Sequence, residues 1–114
     1  MNIIFHLVPA AYFDSLDPET DYAPRDLPQD GFIHCTEGAE EMARTANRYY
    51  KSNPGAHYYL YIDADRVRAS VRYDDAARLY PHIYGTLNRD AIVAIRPAAR
   101  DEDGTFHAPE PMSA

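Results

Sequence analysis

The residue pattern predicts an α+β fold: a single domain of mostly antiparallel sheets, about six strands, with two helices placed early. Two observations carry this. Short apolar segments rich in Val, Ile, Tyr and Phe recur along the chain, bounded by Pro, Gly, Asn and Asp. Helical spacing is confined to the first half, and after residue 56 no helix separates one strand from the next, which argues against a doubly wound parallel sheet.

Asn2 to Val8 reads as the first strand, with His6 inside it. Pro9 suits a helix start, and Ala10, Ala11, Phe13 and Leu16 follow at helical spacing until Asp17-Pro18 stops them. Residues 17–30 carry Pro18, Pro24 and Pro28 among acids and read as an ordered loop with a short edge strand near Tyr22. Gly31-Phe32-Ile33-His34-Cys35-Thr36 is a glycine-opened strand, in which Phe32, His34 and Thr36 share one face and Ile33 and Cys35 the other. Thr36 is expected to cap a helix over residues 37–52, with Met42, Ala46 and Tyr49 on its apolar side. His57 to Asp63 is a strand covered on both faces, and Val67 to Tyr73 a strand whose basic face sets Arg68 beside Arg72. Pro81 to Asn88 has no regular period and reads as a shaped loop. Ala91 to Arg96 is a buried-type strand, and Asp103-Gly104 turns into a last short strand. The domain is expected over residues 1–108, with 109–114 as a frayed tail.

At 114 residues the chain suits one compact domain. Eighteen acids against eleven bases, a net charge of −7, argue against general nucleic-acid binding and against a membrane surface, both of which want a basic field. No long apolar run spans a bilayer, and the start lacks the pattern of a signal peptide, so a cytoplasmic location is the expectation. Cys35 is the only cysteine, so an internal disulfide and a cysteine-rich metal site are ruled out. It reads as a small buried thiol. No two histidines stand at metal-ligand spacing, and no metal is expected.

His6, His34 and His82 stand in non-random surroundings. They are compatible with general acid–base work, with hydrogen bonding to a polar ligand, or with satisfied structural groups. Asp74 and Asp75 read either as a solvated turn beside Arg72 or as carboxylates placed for an oxocarbenium-like state. Tyr84-Gly85 could offer a stacking ring beside a point where only glycine lets a ligand approach the backbone.

Four pieces occur in order: Ile4-Phe5-His6-Leu7, Gly31-Phe32-Ile33-His34-Cys35-Thr36, Val71-Arg72-Tyr73-Asp74, and Tyr80-Pro81-His82-Ile83-Tyr84-Gly85-Thr86-Leu87. Together they resemble the bacterial family of domain of unknown function 952. That family is distantly similar to the ADP-ribosyltransferase-like superfamily, whose members bind NAD between two small antiparallel sheets. Phe32-Ile33-His34-Cys35-Thr36 resembles the His-Val-His-Leu-Ser strand of RNA 2′-phosphotransferases. The resemblance implies NAD as cofactor and His6, His34 and Thr36 as ligand-binding. It adds Arg72 for phosphate, Tyr84 and Gly85 for nicotinamide, and Asp74 or His82 as the catalytic group that assists departure of nicotinamide. Asp74 stands where relatives usually have glutamate, one methylene longer. Three functions follow as expectations: an ADP-ribosyl-transfer enzyme, a binding module for a small nucleotide-like ligand, or an interaction domain with structural histidines.

Overall fold

The computed structural model describes residues 1–112. In chain order the elements are β1 (Ile3–Pro9), α1 (Ala10–Ser15), α2 (Leu27–Asp30), β2 (Ile33–His34), α3 (Ala39–Tyr49), β3 (His57–Asp63), β4 (Ser70–Tyr73), β5 (Pro81–Tyr84) and β6 (Ile92–Pro97), with single 3-10 turns at Ala64–Arg66 and Arg89–Ala91. The six strands form two antiparallel three-stranded sheets, ordered β1-β3-β6 and β2-β5-β4.

Strand alternation builds the layers. Along β1 and β3, Phe5, Leu7, Tyr59 and Tyr61 face Met42 and Ala46 of α3 together with Phe106, and the Phe5 and Tyr61 rings meet edge to face at 5.0 Å. The alternate residues Ile4, Val8, Leu60 and Ile62 face the other way, against Ile33 and Ile83 of the second sheet and against Phe13, Tyr22, Cys35 and Leu87. The order is therefore helix, first sheet, second sheet. Nothing among the described core residues covers the far side of the second sheet, so that side is open. Phe5 and Thr36 join the sheets through two backbone hydrogen bonds, 2.9 Å and 2.8 Å.

Several expectations are corrected here. Pro81 to Tyr84 is the central strand of the second sheet and not a loop. Its period-2 burial lasts only four residues, and the proline at its head is buried, lacking only the N–H that a first residue can spare. Thr36 does not cap α3: it is consumed by the bridge to Phe5, and the helix starts behind Gly38 with Glu40 and Glu41 in its first turn. Tyr49, expected on the apolar side of α3, is 64% exposed. Leu27–Asp30, read as loop, is a helical turn closed by Gly31, whose φ of +79° is the left-handed conformation that glycine adopts without strain. Arg68 precedes β4 and lies beside Asp90 at 3.9 Å, so it does not join Arg72. Strand β6 is an edge strand rather than a buried one, with Ile95 46% exposed.

Cys35 is buried and free, as expected, and burial pushes its thiol up. Tyr22 makes the anticipated edge contact, exchanging backbone hydrogen bonds with Leu87. The segment expected to fray is attached as far as Met112: Pro109 is buried, the Tyr61 hydroxyl donates to the Glu110 carbonyl at 2.6 Å, and Met112 packs on the α3 side of the first sheet. Ser113 and Ala114 lie outside the described residues.

Ile83 is fully buried on the central strand of the second sheet, where its side chain packs in the core shared with the first. Ile83→Ala is expected to cost about 2–5 kcal/mol, as large-to-small core changes do, read as a lower urea midpoint.

Candidate functional site

The open face of the second sheet is where the chemistry gathers. Register puts His34 of β2 opposite His82 of β5, and His82 opposite Arg72 of β4, so three cationic or imidazole side chains form one row across three strands. Their neighbours Ile33, Ile83 and Val71 turn inward, which is why the row turns outward. The His34 and His82 ring centroids are 5.6 Å apart. Phe32 lies flat against His82, with centroids 3.9 Å apart and planes at 19°, and also touches His34 and Tyr84. Arg72 stands over the Tyr84 ring at 4.8 Å.

Each imidazole is held by its own carboxylate. Nε2 of His34 meets Asp30 Oδ2 at 3.0 Å, a contact made possible because α2 ends at Asp30 and the Gly31 turn brings the chain back. Nδ1 of His82 meets Asp74 Oδ2, also at 3.0 Å, and the Tyr84 hydroxyl donates to the same oxygen at 2.5 Å. A carboxylate accepts, so the bonded nitrogens carry the protons, leaving Nδ1 of His34 and Nε2 of His82 without a partner among the described residues. Neither is buried: His57 Nε2 is the one buried side-chain polar atom without a partner among the described residues. The Tyr84 and His82 hydrogen bonds hold the Asp74 carboxyl below its ordinary range, and the bond to Asp74 raises the Tyr84 phenol.

His6 does not join this row. Its ring is buried between the sheets, with Nδ1 2.7 Å from the His34 carbonyl oxygen and Nε2 2.7 Å from the Tyr22 hydroxyl. A carbonyl only accepts, so Nδ1 carries the proton, Nε2 accepts, and Tyr22 donates. Burial lowers the pKa of His6 to about 4. Thr36 is buried as well, paired through its backbone with Phe5. Gly85 has φ of +150°, and a Cβ placed there would meet that of Ala69 at 3.1 Å, so the glycine admits the residue that leads into β4. The open row thus unites His34, His82, Arg72, Tyr84 and Asp74, while His6, Thr36 and Gly85 build its support.

Sequence reasoning missed Phe32 and Asp30. Phe32 was legible as a face-mate of His34 by alternation. Asp30 was hidden because its reach depends on the unexpected helical turn before Gly31. Two polar surface hollows, one around Asn47 and Lys51 and the other along Lys51 to Gly55 and Arg100 to Gly104, use other residues.

The neutral His6 makes a stability prediction. The unfolded chain takes up the proton below about 6.5, the folded one only near 4, so stability from this residue is full above 6.5 and falls as pH drops toward 4. The loss should reach about 3 kcal/mol, and burial lowers His57 in the same direction. Urea unfolding from pH 7 to 4 should show this decline, with a flatter one in His6→Gln, which cannot titrate.

No helix among the described residues is long and apolar enough to cross a membrane. No curated protein sequence matches the chain. Among solved structures, protein CC0527 from Caulobacter crescentus shares the fold at 18% identity and a TM-score of 0.77, covering 92% of this chain and 93% of its own. A double mutant of that protein gives 20% identity and a TM-score of 0.76 over the same shares. The sequence profile of the DUF952 proteins of unknown function matches residues 7–95. With most of its length in that match, including both strands that carry the paired imidazoles, the chain belongs to the DUF952 family.

Proposed function

We propose that the open face of the second sheet binds a small phosphorylated ligand of nucleotide type. The observation that carries this is the row His34, His82, Arg72, flanked by the exposed edges of Phe32 and Tyr84. A guanidinium presents a planar fork suited to phosphate oxygens, and the two imidazoles add hydrogen-bonding groups at the same level. The aromatic rings beside them supply a surface on which a base or nicotinamide can stack. His34 is 62% exposed and has little packing duty, which speaks against reading it as structural, while His82 beside it is stacked on Phe32.

NAD combines phosphate with two flat rings, and the distant resemblance names it as cofactor. Arg72 and Tyr84 fit that group. His6 does not, because its ring is enclosed and both nitrogens are engaged. Asp74 has its Oδ2 engaged by His82 and Tyr84, so an ADP-ribosyl-transfer reading rests on a carboxylate already tied to two neighbours. Binding is the better-supported reading. The enzyme reading keeps one observation, the location of Asp74 one residue beyond the strand that carries Arg72.

Ligand-observed NMR titration with NAD, ADP-ribose and a 2′-phosphorylated nucleotide tests both. Saturable binding is expected, and Arg72→Ala should weaken it about tenfold or more, as loss of a charge-assisted contact does. No binding to any of the three would overturn the proposal. Nicotinamide released from NAD by the wild type and not by Asp74→Asn would instead favour transfer.

A further inference from the structure

We infer that His34 and His82 form an acid–base pair for cleaving a phosphodiester, with a small nucleoside cyclic phosphate as the substrate class. This rests on the phosphate-binding reading of the same face. Two features of the geometry go beyond binding.

The first is duplication. Each ring is fixed through one nitrogen by a separate carboxylate, Asp30 for His34 and Asp74 for His82, both at 3.0 Å. The pinned nitrogens differ, Nε2 in His34 and Nδ1 in His82, so the two rings offer different free atoms, Nδ1 and Nε2. An imidazole oriented by a carboxylate on one nitrogen and free on the other is the form in which histidine moves protons. Binding alone would need neither ring held so firmly, yet His82 is also clamped flat against Phe32.

The second is spacing. Ring centroids 5.6 Å apart put the two rings in edge contact, close enough for both to reach one phosphate seated over the row, and Arg72 on the far side of His82 supplies the fixed charge for its non-bridging oxygens. The charged or titratable groups around the pair are Asp30, Asp74, Asp75, Arg72 and Tyr84, with His6 beneath.

The step balances without a metal or redox partner. A neutral imidazole takes a proton from water while the water oxygen forms a bond to phosphorus. The bond from phosphorus to the ring oxygen breaks, its electron pair staying on that oxygen. The second imidazole, protonated, delivers a proton there. The product is a phosphomonoester bearing a free hydroxyl, and the two rings return to their starting forms by exchange with solvent.

Purified full-length protein incubated with 2′,3′-cyclic AMP, followed by 31P NMR, reads binding and product together. Wild type is expected to yield the phosphomonoester, with the rate falling on the order of 10²–10⁴-fold in His34→Ala and in His82→Gln. His34 is exposed and His82→Gln keeps a hydrogen-bonding side chain, so both variants are expected to fold, checked by circular dichroism. Binding without product above the uncatalysed rate overturns the inference and leaves the binding reading standing. Equal rates in wild type and folded His34→Ala also overturn it. Absence of binding to the cyclic phosphate overturns the inference alone, and the binding reading is decided by the titration with NAD, ADP-ribose and the 2′-phosphorylated nucleotide.

Discussion

The second sheet is held in place by a buried histidine that must stay neutral. His6 projects from the first sheet, donates to the His34 carbonyl in the second, and accepts from Tyr22, whose backbone pairs with Leu87 beyond β5. Each bond contributes about 1 kcal/mol net, but breaking one leaves a buried polar group unsatisfied at about 1–3 kcal/mol. The two Phe5–Thr36 backbone bonds run alongside. Between them, these contacts set the height and tilt of β2 against β1. They do so from the carbonyl side of the residue whose ring faces solvent, so the support and the candidate chemistry share one residue, His34.

That arrangement explains the division of labour among the histidines. Alternation sends His6 into the interface and His34 and His82 outward, and the antiparallel register then sets the latter two side by side. Asp74 works as a hub on the open side, joining His82, Tyr84 and, through the cation over the Tyr84 ring, Arg72. The exposure of these groups limits how much such contacts add to stability. Their worth lies in orientation, which the Phe32 stack reinforces.

Much of this was legible in the residues. The seven-residue strand His57–Asp63 alternates cleanly, and its two covered faces follow from tyrosines on one side and Leu60 and Ile62 on the other. The shared face of Phe32 and His34 also follows from alternation. What escaped was short or non-local. Four residues of β5 carry too little period to outweigh the surrounding turn residues, so the strand at the middle of the second sheet read as loop. Thr36 has good capping chemistry, yet a partner 31 positions away claimed its backbone. His6 and His34 looked alike in sequence because both sit in apolar strands, and only the stacking of one sheet on the other separates them.

Arg100 shows how the same fold treats a charge that makes no ion pair among the described residues. Its guanidinium donates to the carbonyl oxygens of Lys51, Asn53, Gly55 and Gly104 and lies 4.1 Å from the centre of the Phe106 ring. Every acceptor is main chain, so the clasp reads the path of the 51–55 loop and not its lettering. The side chains of Lys51 and Asn53 therefore take no part in the clasp. Arg100 has no substitute in it, since lysine offers a single ammonium where four carbonyls converge on a fork.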